Sequence, residues 1–188
     1  MVRTFVAATV PDDVKDALFR AVRTLKNAAP RIRWTRPDSW HVTMKFLGDV
    51  PEPDLQPLFD AVAAVAGEAE PFVADVTGLG AFPHWRQPRT VWAGMGEGGD
   101  ELTALGRSVQ AVCGELGYPP DSKPFTPHIT LGRIQLPGDA GGVSEAAATL
   151  ADEPFGVMEV EEVVVYMSDL RRTGAVYAPM FRAKLGRS

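Results

Sequence analysis

The sequence predicts an α+β fold with largely antiparallel sheets, arranged as two similar lobes, and three observations carry that expectation. Helical and strand-like periodicities mix along the 188 residues without the strict strand–helix–strand alternation of a parallel sheet. One short phrase is written twice, as His41-Val42-Thr43-Met44 and His128-Ile129-Thr130-Leu131, each with a proline (Pro37, Pro124) four residues before its histidine. A second repeat follows each copy: Val91-Trp92-Ala93-Gly94-Met95 and Val176-Tyr177-Ala178-Pro179-Met180 share a Val-aromatic-Ala-x-Met frame. The histidines are offset by 87 residues and the later frames by 85, with Pro71-Phe72 and Pro154-Phe155 in between. Two copies are too few for a solenoid but suit two facing lobes that bring equivalent histidines to one cleft.

Taken in order, residues 2–10 read as a buried strand that stops at Pro11, after which Asp12 or Asp13 can cap a helix bearing Val14, Ala17, Leu18, Ala21, Val22 and Leu25 on one face. A second helix is expected over 53–68, where Leu55, Leu58, Phe59, Val62 and Val65 recur at helical intervals. A third, over 100–116, uses Leu102, Leu105, Val109, Val112 and Leu116 and stops at Gly117. A short alanine-rich helix is expected over 143–151. Strand-like runs fall at 32–35, 41–47, 72–78, 89–95, 128–134, 157–167 and 175–183. The glycine-rich segments 78–83 and 136–142 read as loops. Because the repeat order spans the whole chain, residues 1–188 are expected to form a single bilobal domain whose lobes exchange strands.

Hydrophobic residues make up 45% of the chain, enough to bury a sizeable core. No apolar run is long enough to span a bilayer and the N-terminus has no signal-peptide layout, so a soluble, cytoplasmic protein is expected. Cys113 is the sole cysteine, which excludes an intrachain disulfide and a cysteine zinc cluster; its apolar neighbours suggest a core residue. A net charge of −5 argues against a broad positive field for long nucleic acid. Basic residues instead gather near the repeats: Arg31, Arg33, Arg36 and Lys45 near the first motif, Lys123 and Arg133 near the second, and Arg86, Arg89, Arg171 and Arg172 before the later frames.

If 41–47 is a strand, His41, Thr43 and Lys45 project from one face and Val42, Met44 and Phe46 from the other. The second motif divides the same way, His128 and Thr130 against Ile129 and Leu131. A lone His-x-Thr is common by chance; two copies inside an aligned repeat are not. Zinc is a poor alternative because a third ligand would have to be His84 or a carboxylate without evident spacing. Nor does any serine or cysteine sit in a nucleophile elbow. Two histidines facing one phosphorus suit in-line displacement, one taking a proton from water and the other protonating the departing oxygen, and predict a bell-shaped pH profile. The threonine hydroxyls can hold the non-bridging oxygens. That chemistry requires no metal and no cofactor.

At these residues the chain resembles the two-histidine (2H) phosphoesterase superfamily, defined by paired His-x-Thr-x motifs, and more closely its RNA 2′,3′-cyclic phosphodiesterase branch, historically called 2′-5′ RNA ligases. The similarity runs nearly full length, through Phe5-Val6-Ala7, Trp34, His41 to Gly48, Gly78 to Pro83, Val91 to Gly94, Phe125 to Arg133, and Ala175-Val176-Tyr177. Gly132 departs from the alanine common in the branch. The resemblance implies a bilobal 2H phosphoesterase fold with a pseudo-twofold axis, antiparallel sheets lining a central cleft and helices outside. It implies hydrolysis of a terminal RNA 2′,3′-cyclic phosphate to a 2′-phosphate, with His41 donating a proton to the leaving 3′ oxygen and His128 accepting one from water. Thr43 and Thr130 become phosphate ligands. Arg133 matches a supporting basic position but needs a strand end or bulge to reach the face of His128. Phe46 and Phe125 are candidates for stacking a base, although Phe46 on the core-facing side is better read as packing; His84 and Trp85 are better read as an exposed pair than as a base contact. The implied partners are RNA ends bearing a cyclic phosphate, tRNA fragments or small cyclic nucleotides, without a membrane or an obligate protein partner. The alternatives are 2′-5′ end ligation, in which a 5′-hydroxyl replaces water, and a non-catalytic RNA-end or nucleotide binder.

Overall fold

The computed structural model describes residues 1–171 and 174–186; Arg172 and the side chain of Arg171, two of the basic residues noted above, lie outside them. In chain order the elements are β1 (Val2–Thr9), α1 (Asp12–Ala28), β2 (Arg33–Trp34), β3 (His41–Val50), α2 (Glu52–Glu68), β4 (Phe72–Phe82), β5 (Thr90–Met95), α3 (Gly99–Glu115), β6 (Ile129–Arg133), α4 (Val143–Ala148), β7 (Pro154–Val160), β8 (Glu162–Arg171) and β9 (Gly174–Lys184). Single 3-10 turns precede β3 (Pro37–Ser39) and α4 (Pro137–Ala140).

The strands form one sheet in the order β7-β4-β5-β6-β3-β1-β8-β9, with β2 added to β6. Every pairing among the described residues is antiparallel. The sheet therefore has two four-stranded halves, β7-β4-β5-β6 and β3-β1-β8-β9, that meet where Val42 of β3 faces Ile129 of β6. Both of those residues are fully buried. They belong to one core with Val14, Leu18 and Val22 of α1, Leu58 and Val62 of α2, and Leu102 and Val109 of α3. The apolar stripes read from the sequence thus cover the face of the sheet towards which Val42 and Ile129 point. The opposite face at the seam is left to polar side chains.

Local chemistry explains most boundaries. Pro11, not Asp12 or Asp13, occupies the cap of α1, and no side chain caps it; the Asp13 carboxylate accepts the Val14 N–H at 2.9 Å, and the two acids still favour the positive end of the helix. Gly117 ends α3 at φ +88°, while the Tyr118 N–H donates back to the Cys113 carbonyl at 3.0 Å, closing the left-handed turn that glycine permits. Cys113 is buried, as its neighbours suggest, and burial raises its thiol pKa to about 11. The expected loop at 78–83 is instead the second half of β4 as far as Phe82. Its glycines serve a strand: Gly78, at φ +71°, sits at a register shift, and a Cβ on Gly80 would lie 2.1 Å from the Trp92 ring. The expected strand 157–167 is two strands broken at Glu161, because β7 pairs with β4 near one edge of the sheet and β8 with β1 near the other.

Candidate active site

His41 begins β3 and His128 immediately precedes β6, so each histidine sits where its chain enters the seam. Side chains alternate along a strand, and with Val42 and Ile129 turned into the core, His41, Thr43, His128 and Thr130 all turn to the other face. Continuing the antiparallel register one residue either way sets His41 beside Thr130 and Thr43 beside His128. The two imidazoles then occupy diagonal positions whose backbones are roughly 7–8 Å apart. His41 accordingly feels the charge of His128.

The alternation expected beyond the motifs fails in both halves at the same place. Opposite β1, register passes from Thr43 to Lys45 and leaves Met44 as an extra residue; opposite β5 it passes from Thr130 to Gly132 and leaves Leu131. Each bulge falls three residues after its histidine. In β3 it turns both Met44 and Lys45 inward. Lys45, expected on the cleft face, is 2% exposed and donates to the Pro119 carbonyl at 2.6 Å and to Asp121 Oδ1 at 2.8 Å. The same shift carries Phe46 outward, correcting the core-packing expectation: it is 45% exposed, and the Arg3 guanidinium lies 4.7 Å from its ring centre. In β6, Leu131 and Gly132 turn inward together, and Arg133 emerges on the side the sequence could reach only by a bulge.

Aromatic rings hold both imidazoles. His41 stacks on Phe5 with centroids 4.7 Å apart and meets the edge of Tyr177 at 5.2 Å. His128 meets Phe82 edge-on at 5.0 Å and Trp92 at 6.0 Å. Trp92 follows His41 in the chain yet lies against His128, while Tyr177 follows His128 yet lies against His41. Periodicity did not identify these walls as part of the site, although the repeated Val-aromatic-Ala frames marked two of their members. Thr43, Phe46, Phe82, Phe125 and His128 line a cleft of about 530 Å³. Phe125 is seated over Gly106 of α3, where a Cβ would lie 2.3 Å from its ring. Arg133 lines an adjoining pocket with Tyr177. His84 is exposed, and Trp85 packs beside the smaller core around Ile134 and Val143, so neither belongs to the cleft.

Burial sets the proton chemistry. The His41 pKa is lowered from 6.5 to about 4, chiefly by burial, then by the charges of His128 and Lys15. His128 is also lowered, chiefly by burial; its bond to Thr126 opposes the shift and the charge of Arg133 adds to it. His128 Nδ1 lies 2.7 Å from the Thr126 carbonyl. A carbonyl can only accept, so Nδ1 carries the proton and the neutral ring presents a bare Nε2, suited to taking a proton. Among the described residues no three His, Cys, Asp or Glu side chains converge as metal ligands.

A fold of two antiparallel halves with a His–Thr pair from each at one seam defines a two-histidine phosphoesterase, and the chain belongs to the family of LigT-like phosphoesterases, whose model matches it twice, over residues 9–92 and 94–177. The two matches carry one histidine motif each. The chain is 32% identical over 179 residues to the RNA 2′,3′-cyclic phosphodiesterase of Methanothermobacter thermautotrophicus, covering 95% of this chain and 96% of that one. It is 30% identical over 189 residues to the enzyme of the same name from Aquifex aeolicus, covering 99% and 98%. Its backbone matches the crystal structure of TT0787 of Thermus thermophilus with a TM-score of 0.79 at 30% identity, over 99% of this chain and all of that one (100%).

Proposed function

We propose that this protein hydrolyses 2′,3′-cyclic phosphate ends of RNA to 2′-phosphomonoesters by metal-independent two-histidine catalysis. The observation that carries the reading is the seam at Val42 and Ile129, around which both His–Thr pairs share one face. His128 Nε2 takes a proton from water as the water oxygen attacks phosphorus opposite the 3′ oxygen. The phosphorus–O3′ bond breaks, His41 gives its proton to O3′, and a 3′-hydroxyl beside a 2′-phosphate remains. Thr43 and Thr130 donate to the non-bridging oxygens, and the positive charge of Arg133 offsets the charge that grows on them. Phe46 and Phe125 are the rings available to the terminal base.

The relatives named as RNA 2′,3′-cyclic phosphodiesterases support this choice of substrate, with tRNA fragments and small cyclic nucleotides as candidates. On the same reading, residues 1–188 act as one bilobal domain with internally duplicated motifs and exchanged strands, working in the cytoplasm. No helix among the described residues is long and apolar enough to cross a membrane. The direct test is the position of the phosphate after an oligoribonucleotide ending in a 2′,3′-cyclic phosphate is incubated with the protein and EDTA. A 2′-phosphate product is expected, with rate losses of roughly 10²–10⁴-fold in His41→Asn and in His128→Asn. Full activity in either variant, or abolition by EDTA, would sink the mechanism; efficient joining to a 5′-hydroxyl strand would identify a ligase, and tight binding without turnover a binder.

A further inference from the structure

The pocket on the Tyr177 side of the histidines shares only Arg133 with the chemistry above. It encloses about 370 Å³, within the range of small-ligand clefts, and its walls include Arg33, Arg36, Arg133, Trp34, Ser39 and Tyr177. Among the described residues no carboxylate lines it and none of its three arginines makes an ion pair. The backbone forces two of these charges together: β2 pairs with β6 so that Arg33 stands directly opposite Arg133. Like charges in that position repel, and the repulsion costs stability unless an anion sits between them. Arg36 lies along the far wall, its guanidinium 3.8 Å from where a Cβ on Gly174 would be. Ser39 is already engaged with the Arg36 carbonyl at 2.7 Å, which leaves the three guanidiniums as the pocket's main donors.

The two cavities differ in chemistry. The cleft beside His128 is walled by Phe46, Phe82 and Phe125 and suits a flat base, whereas the arginine pocket suits an anion such as a phosphodiester, whose non-bridging oxygens accept from guanidinium N–H groups. Tyr177 joins the pocket to the catalytic centre, lining the one and touching His41 in the other. An oligonucleotide with its terminal phosphate at the histidines carries one further phosphodiester for each upstream nucleotide. We infer that this pocket, through Arg33 and Arg36 beside the Arg133 that serves the terminal phosphate, binds the internucleotide phosphate on the 5′ side of the terminal nucleotide, making the protein selective for oligoribonucleotide ends over mononucleoside cyclic phosphates. This inference rests on the cyclic phosphodiesterase reading for the position of the terminal phosphate.

Three substrates separate the possibilities: a mononucleoside 2′,3′-cyclic phosphate, a dinucleotide ending in the same group, and that dinucleotide with an uncharged methylphosphonate linkage. In the wild-type protein the charged dinucleotide is expected to exceed the other two by roughly tenfold in kcat/KM. In an Arg33→Gln/Arg36→Gln double variant the ratio of charged to uncharged dinucleotide is expected to fall towards one. Both side chains are at least partly exposed, and thermal unfolding verifies that the variant folds. Equal rates on the charged and methylphosphonate dinucleotides in the wild-type protein would overturn the inference without touching the hydrolase reading, and so would a ratio that survives in the double variant. If the wild-type protein turns over none of the three, the hydrolase reading fails; equilibrium binding of the charged and uncharged dinucleotides then decides the pocket by the same ratio.

Discussion

At the scale of single residues, the same burial that positions His41 makes it a poor proton carrier in the empty protein. Its pKa near 4 means that the imidazolium needed as an acid is scarce at neutral pH, and His128 is displaced in the same direction. Unperturbed histidines would give a bell near neutrality, and burial among the aromatic walls moves it to lower pH. Because kcat/KM reports the free protein, its optimum is expected below pH 6.5, between the two lowered values. A bound phosphate anion favours imidazolium, raising both histidine pKa values, so the kcat profile is expected to lie at higher pH than the kcat/KM profile. Measuring both on a cyclic dinucleotide checks this, and a kcat/KM optimum above pH 7.5 would contradict it. Replacing Phe5 by leucine removes the ring stacked on His41 and is expected to move the acid limb of kcat/KM upward as water reaches the imidazole.

At the scale of elements, bulges and glycines decide where side chains go. The bulges at Met44 and Leu131 re-phase their strands, sending Lys45 inward and bringing Phe46 and Arg133 out. A period-two reading cannot show this, since one extra residue in a ladder leaves no mark in composition. Glycine is similarly ambiguous, and α3 offers a paired test. Gly114 has open space around its missing Cβ, so Gly114→Ala is expected to stabilise the protein by up to about 1 kcal/mol through helix propensity. Gly106, on another face of the same helix, is filled by the Phe125 ring. Gly106→Ala is expected to destabilise by about 1–3 kcal/mol through overpacking and to weaken nucleotide binding as Phe125 is displaced. Denaturant unfolding of the two variants measures the contrast; equal effects would show that Phe125 does not need that space. Gly132 is a related case, since a Cβ there would come within 2.8 Å of the Trp34 ring.

At the scale of the molecule, the duplicated motifs pointed to the candidate site, whereas nothing in the sequence pointed to the order of the sheet. The helices and most strands followed from local periodicity, and the shared face of the two His–Thr pairs followed from alternation alone. The sheet order did not, because β8 pairs with β1 across more than 150 residues and carries β9 on its other side, and periodicity names no partner. The walls around the histidines come from β1, β4, β5, β9 and, through Tyr166 at 6.2 Å from His41, β8, and therefore became visible only once those strands were in place. On the proposed mechanism the fold brings both imidazoles to one phosphorus. A crystal structure with a 2′-phosphorylated nucleotide bound tests it most directly. A single phosphate is expected within hydrogen-bond reach, roughly 2.6–3.2 Å, of a ring nitrogen of His41 and one of His128, with the Thr43 and Thr130 hydroxyls on its remaining oxygens. A phosphate held by one histidine alone, or seated away from the seam between β3 and β6, would contradict it.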